Sequence, residues 1–308
     1  MPLLDALRAL SRLESPQELP PADLAELADV LEAHGLAPIA SYHLETGPIG
    51  AGLPAQFREK LLTLYQGVVN DNVFRVVELR PVLKQAGVPV VLLGGLATID
   101  WLYPHLAFRP LGDLRLAVRA DDGGRLAEVA AAAGFPSTGT SEGGRVAAFS
   151  DGRISFSIQE GLWPGAAADA ELFERAERVP AFGPTAFRPS AEDMLLSTVA
   201  EQALLGLFAP LLGFLDLREL LRAEPPPEPG RVLARAGALG LSRALYGAMR
   251  LVAGFFPEVA ERALALAPAL SAPERIAVDA VVESARDPAR LVHLRGAEAA
   301  ARLVVAPR

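Results

Sequence analysis

Residues 90–118, "VVLLGGLATIDWLYPHLAFRPLGDLRLAV", decide the fold. The opening β-branched and leucine run ends in Gly94-Gly95, the pattern of a buried strand followed by a tight turn. "LATIDWLYP" then reads as a helix, and Gly112 marks a turn into a second strand, "DLRLAV". Alternate residues of a strand share a face, so Asp113 and Arg115 form a same-face acid and base. Downstream, "DDGGRLAEVAAAAGF" predicts a helix capped by Asp121 or Asp122. "RVAAFS" and "RISFSI" predict a hairpin around Asp151-Gly152. These elements make a small α/β core, placed at residues 88–165.

Helical patterns lie on both sides. In residues 1–87 an amphipathic helix opens the chain, a second starts after Pro20-Pro21 and ends at Gly35, "APIASYHLETGPIGAGLP" reads as a short helix and a Gly/Pro loop, and a long helix runs from about Pro54 to Gly87 with Pro81 inside it. In residues 166–308, Ser190 and Asp193 give a capping signal for "AEDMLLSTVAEQALLGL". "LLGFLDLRELLRA" continues the helical pattern, "EPPPEPG" at 224–230 is a stiff surface loop, and three further helices follow. The expected class is α+β and helix-rich, with a small mixed sheet between helical modules.

Composition excludes several functions. The chain has 308 residues, 51% hydrophobic and 21% charged, with net charge −8 and no cysteine. Disulfides, thiolate metal sites and cysteine nucleophiles are therefore absent. An acidic chain without clustered cations offers no extended nucleic-acid surface. The most apolar run, "LLGLFAPLLGFL", is broken by Pro210 and Gly213 and is shorter than a membrane span. The opening helix lacks a basic leader, so a cytoplasmic location is expected. Lysine occurs only at 60 and 84 amid abundant Ala, Leu, Gly, Pro and Arg, the bias of a GC-rich bacterial genome.

The order strand, Gly-Gly, "LYP", Arg109 and Gly112-Asp113 resembles the uncharacterised bacterial nucleotidyltransferase family of the DNA polymerase beta-like superfamily. The likeness extends through "KQAGVPVVLL", "AAAGF", "RPSAEDMLL" and "FLDLRELL". It implies a nucleotidyltransferase-like core in which two strand aspartates hold Mg²⁺ and Gly94-Gly95 approach phosphates. It also gives Arg109 a place upstream of the acidic strand, where it reaches phosphate or caps the strand entry.

The chain departs from that pattern where the chemistry sits. Asp113 keeps the first acid, but Arg115 stands at the second, and a guanidinium cannot ligate Mg²⁺. Gly94 replaces the usual Lys, and Ser155-Phe156-Ser157 replaces an acid-hydrophobic-His strand. Asp113 and Arg115 then form either a partly exposed ion pair, worth about 0–1 kcal/mol, or an anion site in which Arg115 takes over a metal's charge. The expectation is a pseudoenzyme that binds a nucleotide, a phosphorylated small molecule or a protein partner. One alternative is an active Mg²⁺-dependent transferase with a rearranged site in which Glu160 joins Asp113, and another is a purely structural protein.

Other polar residues carry weaker readings. His34, His43, His105 and His293 share no metal-ligand spacing, and surface or helix-end positions are expected for each. Asn70, Asp71 and Asn72 read as the solvated face of the long helix. Ser155 and Ser157 have no histidine nearby in sequence, so a nucleophilic triad is not expected.

Overall fold

Val90–Leu93 form β1, and all four residues are buried. Burial on both faces explains the unbroken apolar run, since a strand with one wet face would alternate. At about 1.5–3 kcal/mol for each fully buried aliphatic side chain, this short strand is a principal anchor of its sheet. The computed structural model describes residues 2–141, 145–163, 166–287 and 297–305. They divide into a sheet unit, Val69–Trp101 with Leu111–Met194, and a helical unit, Met1–Val68 with Leu102–Pro110 and Leu195–Arg308.

The helical unit contributes α1 (Pro2–Leu10), α2 (Leu24–Ala33) and α3 (Ala37–Thr46), and α4 (Ala55–Gln85) begins in it and ends in the sheet unit, where β1 is followed by one turn of helix, α5 (Gly95–Thr98). Next come β2 (Leu114–Val118), α6 (Gly123–Ala132), β3 (Ser137–Thr140), β4 (Val146–Ser150), β5 (Ser155–Glu160), α7 (Ala166–Arg175), β6 (Glu177–Arg178) and β7 (Ala186–Arg188). The seven strands form one mixed sheet in the order β3-β4-β5-β2-β1-β7-β6. β2 runs antiparallel to β1 and parallel to β5, while β7 is parallel to β1. On one face Val91, Leu93 and Ala117 pack with Phe173 of α7.

The helical unit is built around α9 (Leu211–Arg222), which follows α8 (Ala191–Leu204) and is buried almost throughout. After it come α10 (Pro229–Ala238), α11 (Ser242–Phe255), α12 (Ala260–Ala265), α13 (Ala272–Ala285) and α14 (Ala297–Val305). α11 packs against α9, α12 and α13. Gly247 permits that approach, because a β-carbon there would lie 2.6 Å from Leu207 and 3.0 Å from Val278. Among the described residues no helix is long and apolar enough to cross a membrane.

The hairpin expected around Asp151-Gly152 is β4 and β5, and Asp151 Oδ1 accepts the amides of Arg153 and Ile154 in its turn. Ser190 accepts the amide of Asp193 at the start of α8, and Gly35, at φ +71°, ends α2.

Several expectations fail for identifiable reasons. "LATIDWLYP" forms only the single turn of α5, because the chain leaves the sheet unit after Trp101. Neither Asp121 nor Asp122 caps α6 through its side chain. Both belong to a 3₁₀ turn that holds Asp122 near αR rather than in the extended conformation a cap needs. β3 and β6 are wholly exposed and have no apolar alternation, so pairing rather than pattern makes them strands. Among the described residues five helices, not three, follow the proline-rich loop.

Candidate functional site

The turn after β1 is a glycine requirement. Gly94 has φ +55° and ψ −137°, a conformation L side chains rarely adopt, and it opens α5. Gly95 is buried and accepts the Ile99 amide at 3.1 Å, so it belongs to the packed turn, while Gly94 stays half-exposed.

The loop entering β2 is held by α4. Asn72 is fully buried, and its Oδ1 accepts the Leu111 amide at 3.0 Å. One turn further, Arg75 donates to the Gly112 carbonyl at 3.0 Å and pairs with Asp71 at 2.7 Å. The solvated-face reading therefore holds for exposed Asn70 and Asp71 and fails for Asn72, which turns inward to satisfy a buried amide. A short polar side chain in line with buried hydrophobic residues at helical spacing, Val76 and Leu79, was its available signal.

Asp113 is exposed on the bend before β2, and Arg115 is half-buried within the strand. Among the described residues no ion pair joins the two. The cross-strand register is the informative feature: Arg115 lies opposite Leu93 on β1 and opposite Ser157 on β5. Directly paired residues share a face, so Arg115 stands on the α7 side of the sheet, one residue before the glycine turn and next to the row that Phe173 covers. Ser157, half-buried, completes the row with a hydroxyl, and exposed Ser155 lies opposite Ser150.

The similarity to known proteins follows the same segments. A family model described as an uncharacterised nucleotidyltransferase matches residues 20–257. The chain belongs to that family. No curated protein and no solved structure matches it. The nucleotidyltransferase-like fold accounts for the strand, glycine turn and strand just described, with Asp113 on the bend just before β2.

Two further candidates, Glu160 and Arg109, belong to other parts of the fold. Glu160 pairs with Val118, whereas Leu114 pairs with Phe156. Asp113 precedes Leu114, so the two carboxylates belong to opposite ends of the parallel β2–β5 pair. At about 3.3 Å per residue they are separated by roughly 16 Å along the strands, too far to share an ion. The rearranged pair of Asp113 with Glu160 is thereby corrected.

Arg109 belongs to the helical unit. Its Nη2 donates to Asp216 Oδ2 at 2.8 Å and its Nη1 to the Pro110 carbonyl at 2.7 Å, with the Arg109 side chain 13% and the Asp216 side chain 3% exposed. Tyr103, also buried, donates its hydroxyl to Asp216 Oδ1 at 2.6 Å. Burial, reinforced by the Asp216 charge, pushes the Tyr103 phenol well above its ordinary pKa, so it remains a donor. Arg109 thus ties the "LYP" segment to α9, and its charge is matched within the unit rather than presented to a phosphate.

The histidines divide by burial. His34 is buried and its Nδ1 accepts the Leu211 amide at 3.0 Å. His43 is buried between Arg12 and Ser15, with Nε2 2.7 Å from the Arg12 carbonyl and Nδ1 3.1 Å from the Ser15 hydroxyl. Surface or helix-end positions were expected for these residues. His34 is the C-cap of α2 and His43 lies in the last turn of α3, so the helix-end placement holds, but both are buried and bond to polar groups, and only His105 is exposed among the described three. His293 lies outside the described residues.

Proposed function

We propose that this nucleotidyltransferase-family protein has lost two-metal transfer and acts by binding a nucleotide or another phosphorylated small molecule at the β1–β2 end of the sheet. The observation that carries this reading is the register Leu93–Arg115–Ser157. Where family chemistry needs a second carboxylate beside Asp113, the sheet presents a guanidinium, and the neighbouring strand adds only a hydroxyl.

The donor set argues against Mg²⁺ directly. A hard dication takes oxygen ligands, and paired ions need several carboxylates between them. Glu160 is at the far end of its strand, and among the described residues no group of three or more His, Asp or Glu side chains is arranged to hold a metal. Arg115 instead offers bidentate hydrogen bonding to a phosphate, and half-exposed Gly94 leaves the turn open to close backbone approach.

The test is calorimetric titration of ATP, GTP, CTP and UTP with and without Mg²⁺, alongside an assay for labelled nucleotide transfer. Binding of at least one nucleotide without Mg²⁺, weakened about tenfold or more in Arg115→Ala, is the expected result. Robust Mg²⁺-dependent transfer that disappears in Asp113→Ala sinks the proposal and restores the transferase reading. Absence of binding to all four nucleotides removes the nucleotide form of it.

A further inference from the structure

The opposite end of the sheet unit carries a second polar cavity. β2 and β5 run parallel and end together at Val118 and Glu160, and the Gly161 amide donates to the Val118 carbonyl at 2.8 Å. Beyond these ends lies a cavity of about 350 Å³ whose walls include Arg119, Arg145, Glu160, Gly161, Asp169 and Phe173. The carboxyl ends of parallel strands are where open α/β sheets leave crevices for ligands.

Its charges are deployed unevenly. Asp169 is committed to structure: Oδ1 accepts the amides of Leu162 and Trp163, both at 2.7 Å, and Oδ2 lies 3.5 Å from Arg145 Nη2. Gly161 makes this possible, having φ +75° and no β-carbon, which would lie only 1.8 Å from Asp169 Oδ2. Arg145 donates to the Glu160 backbone carbonyl at 2.7 Å and leaves the Glu160 carboxylate alone. That half-buried carboxylate rests against the first residue of α6, with Oε1 2.8 Å from where a β-carbon on Gly123 would stand.

Arg119 stacks on the Phe173 ring with its guanidinium carbon 4.8 Å from the centroid. Among the described residues neither Arg119 nor Glu160 meets an oppositely charged side chain, although both line the same cavity. A second cavity of about 250 Å³ shares Arg145, Glu160 and Gly161 and is also lined by Trp163, whose buried indole nitrogen has no hydrogen-bond partner among the described residues. A cation and an anion held apart across one cavity, beside an unsatisfied donor, complement a ligand that carries both charges.

We propose that the cavity at the C-terminal ends of β2 and β5 binds a small zwitterion, its carboxylate or phosphate held by Arg119 and Arg145 and its ammonium by Glu160. The site is distinct from the Asp113–Arg115 end and requires no nucleotide.

Calorimetry on the full chain with four probes tests this: phosphoethanolamine and β-alanine carry both charges, ethanolamine only the cation and inorganic phosphate only the anion. At least one double-charged probe is expected to bind tenfold or more tightly than both single-charged ones. Glu160→Gln and Arg119→Gln are each expected to weaken that binding about tenfold with an unchanged unfolding midpoint, since each removes one charge-assisted contact. Comparison of phosphoethanolamine with β-alanine identifies the preferred anion. No binding of either, phosphate binding as tightly as phosphoethanolamine, or full affinity in both folded variants overturns the proposal.

Discussion

Arg109 and Arg115 stand six residues apart and have opposite fates. In the helical unit Arg109 meets Asp216, which also receives the Tyr103 hydroxyl, and all three side chains are withdrawn from water. In the sheet unit Arg115 sits half-buried in a strand row between Leu93 and Ser157, with exposed Asp113 two residues earlier. A buried charge is tolerated only when its partners are fixed, so the first cluster is a structural tie. Arg115, in a strand row beside a glycine turn, keeps a half-buried position within its sheet.

The contrast is broken most severely at Asp216. Asp216→Ala leaves Arg109 buried without its carboxylate and removes the acceptor of Tyr103, so chemical denaturation is expected to show a loss of about 3–5 kcal/mol. Tyr103→Phe keeps the ion pair and removes one 2.6 Å hydrogen bond. A loss of about 1–2 kcal/mol is expected, and a value near that of Asp216→Ala would mean that the hydroxyl, not the ion pair, secures the tie.

Acidification acts next, through His43. Burial lowers the pKa of its imidazole below the ordinary value of 6.5. The unfolded chain therefore binds a proton at a higher pH than the folded one. Stability is full above pH 6.5 and falls as the pH drops from there toward the folded pKa. Urea midpoints of the wild type are expected to decrease from pH 7.5 to pH 5.5, and His43→Gln is expected to flatten part of that slope. An identical slope in the variant would assign the effect to other groups.

The smallest effect on stability is expected at Asp113. It is exposed and makes no ion pair with Arg115, so Asp113→Ala should shift stability by no more than about 0.5 kcal/mol. A loss of several kcal/mol would show that the sheet end, like Asp216, is a packed structural charge, and the contrast would vanish.

The sheet core was legible where its residues have no alternative. Val90–Leu93 read as a buried strand because only burial on both faces explains four apolar residues in sequence. The β4–β5 hairpin was legible from the turn at Asp151-Gly152. β3 and β6 were not, since exposed residues such as Ser137–Thr140 become a strand only because a neighbour supplies hydrogen bonds. His34 and His43 escaped because a histidine within a helix looks the same whether its ring meets water or a buried amide.

The candidate site divides in the same way. The place of Arg115 two residues after Asp113 is a property of chain order, legible before any fold is known. The place of Glu160 required the parallel register of β2 and β5, and the burial of Arg109 required Asp216, 107 positions away. Asp216 itself had a signal, a carboxylate set among Phe214, Leu215, Leu217, Leu220 and Leu221 on a buried helix, where an acid needs a cation.

By itself the sequence determined the helix-rich α+β class, the β1–glycine–β2 core and the succession of Asp113 and Arg115. Each depends on local periodicity or on residue order, which the chain carries however it folds. Tertiary structure alone decided which charges are matched and which face open space. Pairing energies depend on distance and dielectric, and both are set by contacts between segments far apart in sequence.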